Sequence, residues 1–132
     1  MDLNYFKKTR ILDAGMGQEL LARGLVTKGT LWSATSLIDE KFNSLVIDTH
    51  LSVIEAGAEV ILTNTFTTRR VRMLQNQVGE LFKFANQKAC ELATKAKELS
   101  KKNILIAGSL PAQNDTYQVD KRDSKIIEKD FY

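Results

Sequence analysis

Three short apolar runs each lead into residues able to grip a small polar ligand. Ile11 and Leu12 precede Asp13, Val60 to Leu62 precede Thr63, Asn64 and Thr65, and Ile104 to Ala107 precede Gly108 and Ser109. A carboxylate, a carboxamide and hydroxyls at such positions offer hydrogen bonds, and in parallel α/β folds ligands gather beyond the carboxyl ends of the strands. Gly15 and Gly17 follow Asp13. They serve either a close approach of backbone to a ligand or simply the strand-to-helix turn. Phe66 reads as an apolar wall beside the ligand or as plain core.

Other residues with chemical potential weigh toward structural roles. Gly15-Met16-Gly17-Gln18-Glu19-Leu20 begins like a dinucleotide fingerprint, but Leu20 stands where a third glycine or alanine belongs. Asp39 and Glu40 lie at the distance of a ribose acid, yet they precede a helix instead of ending a strand. An open nucleotide-binding α/β domain is therefore the lesser reading. His50 falls on a helix stripe and reads as a structural histidine, not a base. Cys90 falls inside a long helix and reads as a buried small hydrophobe. The run Arg69, Arg70 and Arg72 could attract an anionic donor, but a solvated helix face is the preferred reading. One cysteine and one histidine exclude an internal disulfide and leave no cluster of metal ligands.

The elements that position these residues follow from hydrophobic spacing. Phe42, Leu45, Val46, Thr49, Val53 and Ile54 recur at three and four and predict a helix ending near Gly57. Leu81, Phe82, Ala85, Ala89, Leu92, Ala93, Ala96 and Leu99 predict a longer helix from about Gly79 to Lys102. Ser124 is the expected cap of a last helix through Ile126, Ile127 and Phe131, with Glu128 in its first turns. Strand starts near Ile11, Val60 and Ile104 are too far apart for hairpins and long enough for crossover helices, so the sheet should be parallel. Three strands with their helices cannot close a barrel, which takes eight. The chain therefore reads as the first part of something larger, with a loose leader over residues 1–9 and one continuous domain over 10–132.

With 132 residues, 43% hydrophobic and 27% charged, the composition is that of an ordinary globular domain. The net charge of +3 is spread over separate segments, which argues against nucleic acid as a partner. No run approaches the roughly 20 apolar residues of a membrane span, and no signal peptide is visible, so no membrane partner and a cytoplasmic setting are expected.

Five motifs in order, Ile11 to Leu20, Leu31-Trp32-Ser33-Ala34, His50 with Ala56-Gly57-Ala58, Thr63-Asn64-Thr65-Phe66, and Gly108 to Pro111 with Tyr117, resemble the N-terminal part of the homocysteine S-methyltransferase family. That family includes betaine–homocysteine methyltransferases and the homocysteine domain of methionine synthase. The resemblance implies a partial (β/α)8 TIM barrel, its first three βα units with parallel strands, ending in or near the third crossover helix. It implies methyl transfer to the thiolate of homocysteine from a donor such as S-methylmethionine, S-adenosylmethionine, betaine or a methylated cofactor. Asp13, Gly15, Gly17, Asn64, Thr65, Phe66 and Ser109 become substrate-binding positions, with Asp13 accepting hydrogen bonds from the substrate ammonium. Zinc is the implied cofactor, held by three late cysteines that this chain lacks, and residue 90 matches none of them. A free thiol has a pKa near ~8.5 and is mostly protonated at neutral pH, so without metal the nucleophile is not made and residues 1–132 alone are expected to be inactive. The rival expectation is a short non-catalytic binding or assembly module that buries its open sheet edges against a partner. Neither the donor nor the oligomeric state is selected by the sequence.

Overall fold

The computed structural model describes residues 3–111 and 122–129, and mixes helices with a small parallel sheet. Tyr117 and Phe131 lie outside the described residues. The helices are α1 (Met16–Ala22), α2 (Thr35–Ile38), α3 (Asn43–Glu55), α4 (Arg70–Gln75), α5 (Phe82–Ser100) and α6 (Ser124–Lys129). The strands are β1 (Val60–Leu62) and β2 (Leu105–Ala107), paired in parallel with Val60 opposite Leu105 and Leu62 opposite Ala107.

The strand expected at Ile11 is reduced to one parallel bridge, Leu12 to Val60. Its backbone bonds are real: Glu59 N–H donates to the Ile11 carbonyl at 2.8 Å and Asp13 N–H to the Val60 carbonyl at 3.0 Å. Ile11 and Leu12 are each 58% exposed, so this segment lacks the cover on both faces that extends a parallel strand.

Helices α3 and α5 pack side by side and make the most extensive contact between elements among the described residues. On α3 the buried residues are Val46, Thr49, His50 and Ile54, a three-and-four stripe that stops before Gly57, whose φ of +113° ends the helix. On α5 they are Ala85, Ala89, Leu92, Ala93 and Ala96. The small residues let the two helices approach closely. One cluster joins Leu20, Leu31, Leu37 and Val46 to α5, and a second places Ile54, Ile61, Ala93 and Ile104 between the helices and the sheet. Each such leucine or isoleucine contributes roughly 1.5–3 kcal/mol by leaving water.

Several expectations are corrected here. Cys90 is exposed, because it lies about 100° around α5 from Ala89 and falls off the buried stripe. Leu99 is exposed as well, since the stripe ends at Ala96. The arginine run is not a solvated face. Arg69 is only 2% exposed, Arg70 lies over the Phe82 ring at 4.2 Å, and Arg72 donates to the Thr30 carbonyl at 2.9 Å. Arginine stems cover apolar surface while their heads find acceptors, which a charge count does not foresee. Asp123, not Ser124, caps α6, its Oδ1 accepting from Lys125 N–H at 2.8 Å.

At the amino end of the strands Leu3–Lys7 forms a 3-10 turn. Arg10 donates to Glu59, stacks over the Tyr5 ring at 3.8 Å and donates to the Tyr5 carbonyl. The Arg10 guanidinium, then the Ile11 N–H, hold the Glu59 carboxyl below its usual range. No helix among the described residues is long and apolar enough to cross a membrane.

His50 is fully buried, and neither ring nitrogen finds a hydrogen-bond partner among the described residues. Burial pushes its pKa down from 6.5 to about 4. The folded state therefore holds the neutral ring while the unfolded chain takes up a proton below pH 6.5, so stability is lost as pH falls from 6.5 toward 4. Between pH 7 and pH 5 this contributes a loss of about 2 kcal/mol. Urea unfolding at the two pH values should show that loss in the parent chain and less of it in His50→Leu; equal losses would refute the assignment.

Candidate functional site

Parallel pairing brings the ends of the three apolar segments to one side of the sheet. There they border a cleft of about 470 Å³ lined by Leu12 to Gly17, Trp32, Ser33, Leu62 to Asn64, Phe66 and Ser109. Six of the seven substrate-binding positions read from the sequence, Asp13, Gly15, Gly17, Asn64, Phe66 and Ser109, line it. Thr65 does not. Its hydroxyl lies below the cleft, donating to the Ser109 carbonyl and meeting the Thr63 hydroxyl, each at 3.0 Å, and so ties the end of β1 to the end of β2.

Asp13 is the single charged residue lining the cleft among the described residues. Its Oδ2 accepts from Leu62 N–H at 2.8 Å, which locks the carboxylate to β1, while Oδ1 has no hydrogen bond among the described residues. Burial raises the Asp13 pKa above 3.8, against the opposing pull of the Leu62 N–H and its own N–H. A half-buried carboxylate with one oxygen uncommitted favours a cationic hydrogen-bond donor.

Asn64 is buried and its Nδ2 donates to the Ser33 carbonyl and to Ser36 Oγ, both at 3.1 Å. The amide thereby fixes the Trp32 loop to the end of β1. Phe66 stands 43% exposed on the rim, as a wall and not as core. Gly15 has open space where a side chain would go, whereas at Gly17 a Cβ would sit 3.0–3.2 Å from Trp32 ring atoms. Gly17 is thus required for close approach of the indole.

Trp32, Ser33, Met16, Leu12, Leu62 and Thr63 also line the cleft and received no role from the sequence. For Trp32 a signal existed, since it is the chain's single tryptophan and sits in a motif quoted for the resemblance. Its φ of +48° is a backbone state that bulky residues avoid at a cost of order 1–3 kcal/mol, and such strain clusters at ligand sites. Asp39, the alternative ribose acid, is engaged by Lys28 at 3.6 Å and Lys41 at 3.4 Å and does not line the cleft.

A sequence profile of the homocysteine S-methyltransferase family matches residues 10–132. The chain belongs to that family. It is 32% identical over 78 residues to homocysteine S-methyltransferase 2 of Saccharomyces cerevisiae, covering 53% of this chain and 24% of that protein. It is 30% identical over 89 residues to homocysteine S-methyltransferase 1 of Arabidopsis thaliana, covering 67% and 27%. The fold is similar to the crystal structure of the homocysteine methyltransferase MmuM from Escherichia coli in its metallated form, with a TM-score of 0.69 and 30% identity over 83% of this chain and 40% of that one. The chain therefore spans about a quarter of the length of the curated relatives it matches.

The residues described here do not fit a metal of the kind the family implies. Among them no group of three or more His, Cys, Asp or Glu is placed to hold an ion, Cys90 is exposed beside Asn86, Gln87 and Glu91, and His50 is enclosed in the helical core.

Gly17→Ala is expected to displace the indole by a few tenths of an ångström, shifting the emission of the single tryptophan with little loss of stability. Unchanged emission in a folded variant would mean that the contact at Gly17 does not position Trp32.

Proposed function

We propose that this chain forms the first part of a (β/α)8 barrel and supplies the amino-acid-binding side of a homocysteine S-methyltransferase, which moves a methyl group from a donor to the substrate sulfur. The observation that carries the reading is Asp13, the one charged residue lining the cleft among the described residues, whose Oδ1 has no hydrogen bond among them. That oxygen takes the ammonium of homocysteine. The apolar lining of Leu12, Met16, Trp32, Leu62 and Phe66 accepts the methylene chain and excludes water around the sulfur. Ser109 and Thr63 offer neutral polar contacts.

The same residues explain why residues 1–132 alone should not catalyse transfer. Among the described residues the one charged group lining the cleft is an anion, which cannot lower the thiol pKa below its ordinary ~8.5, so the thiol stays protonated at neutral pH.

Calorimetric titration with L-homocysteine should show binding, and 4-sulfanylbutanoate, which lacks the ammonium, should bind more weakly by about tenfold or more, the worth of a charge-assisted hydrogen bond. Asp13→Asn should lose that discrimination while keeping an oxygen for Leu62 N–H. Since the Asp13 pKa is raised, homocysteine affinity should fall as pH drops through that raised value, and the pH dependence should vanish in the variant. Equal affinity for the two ligands in the parent chain would sink the reading. Methyl transfer to homocysteine by residues 1–132 without added metal would overturn the account of the thiol.

A further inference from the structure

We propose that Thr67 is the positioning residue that holds Trp32 over Gly17 and thereby sets the aromatic wall of the cleft. Its consequence for homocysteine rests on the functional reading above; its consequence for the indole does not.

The Trp32 loop does not hold its own shape. At φ +48° the backbone at Trp32 sits where a bulky residue is disfavoured, so contacts from elsewhere must over-determine it. Those contacts converge on the next two residues. Thr67 Oγ1 lies 3.0 Å from Ser33 Oγ and accepts from Ala34 N–H at 2.9 Å, a proton shared with the Leu31 carbonyl at 3.0 Å. Thr67 is 1% exposed and Ser33 2%, so water cannot replace either partner.

Thr67 does not line the cleft. It lies in the segment between β1 and α4, and its hydroxyl joins the segment between α1 and α2 to the loop after β1. Asn64 makes a second tether, but from the Ser33 carbonyl and from a position inside the cleft wall. Arg72 and Asn76 also hold this loop from outside the cleft, but at Thr30, before the tryptophan; Thr67 grips the two residues that follow it without lining the cleft. A hydroxyl is required because the site needs one atom that accepts from a backbone N–H while exchanging a hydrogen bond with Ser33. Valine has the same shape and can do neither, and serine can do both.

The chain's single tryptophan makes the test direct, because all indole emission comes from position 32. Thr67→Val should red-shift the emission and raise its quenching by acrylamide, and Thr67→Ser should restore both. Thr49→Val removes another buried hydroxyl, which bonds the Leu45 carbonyl within α3, and should lower stability without moving the emission. Homocysteine affinity should fall about tenfold in Thr67→Val, the effect of leaving a buried hydrogen-bonding group unpaired, and recover in Thr67→Ser. A folded Thr67→Val with the parent emission and quenching would overturn the proposal, as would a shift of the same size in Thr49→Val. Should Thr67→Val not fold, Ser33→Ala breaks the same contact from the other side and must shift the emission; no shift there overturns it equally. The emission is read without ligand, so a parent chain that fails to bind homocysteine would refute the functional reading and leave this result standing.

Discussion

The parallel register of Leu12 against Val60 and of Val60 against Leu105 is the constraint on which the remaining structure depends. It places Asp13, Thr63 and Gly108 at one end of the sheet, where three chain segments separated by long crossovers become neighbours. Side chains reinforce what the backbone begins. Leu62 N–H donates to Asp13 Oδ2 and Thr63 N–H to the Ala107 carbonyl at 2.9 Å, so the register and the cleft are fixed by the same bonds. A slip of one residue would turn Ile61 out of the core and carry Leu62 N–H away from the carboxylate.

In the cleft wall and behind it lies a layer of buried polar side chains: Ser33, Ser36, Thr63, Asn64, Thr65, Thr67 and Thr68. Thr68 extends it to α5 through Asn86 Oδ1 at 2.9 Å. Each bond contributes only ~1 kcal/mol net, whereas leaving a member unpaired costs roughly 1–3 kcal/mol, so the layer acts chiefly by excluding other arrangements. That is why a polar layer sits where an apolar one would be simpler. It orients loops from opposite sides of the cleft, including one whose tryptophan occupies a disfavoured backbone state.

The two ends of the sheet divide their charges. At the amino end Arg10 and Glu59 neutralise each other beside Tyr5 and tie the first residues to the strand. At the carboxyl end Asp13 stands without a cation, its pKa raised by burial. A partly buried carboxylate in an apolar cleft is costly until a group of opposite charge meets it, so the site favours a cationic hydrogen-bond donor.

Much of this was legible in the sequence, and the reason is local. Apolar runs ending in small and polar residues, and three-and-four spacing before Gly57 and through α5, depend on neighbours in the chain, so β1, β2, α3 and α5 and the place of Asp13, Asn64 and Ser109 beyond the apolar runs could be read directly. What the sequence could not decide depends on partners distant in the chain. The segment at Ile11 became a single bridge because cover on its second face is lacking among the described residues. Cys90 and Leu99 faced outward because the neighbour of α5 is α3, which reaches only part of its surface. Thr65 turned beneath the cleft and Trp32 became its wall, because a carbonyl and a hydroxyl thirty or more residues away received the one and held the loop that carries the other. Hydrophobic periodicity fixes which face of an element is apolar; only tertiary packing decides what that face meets, and with it which polar atoms remain for a ligand.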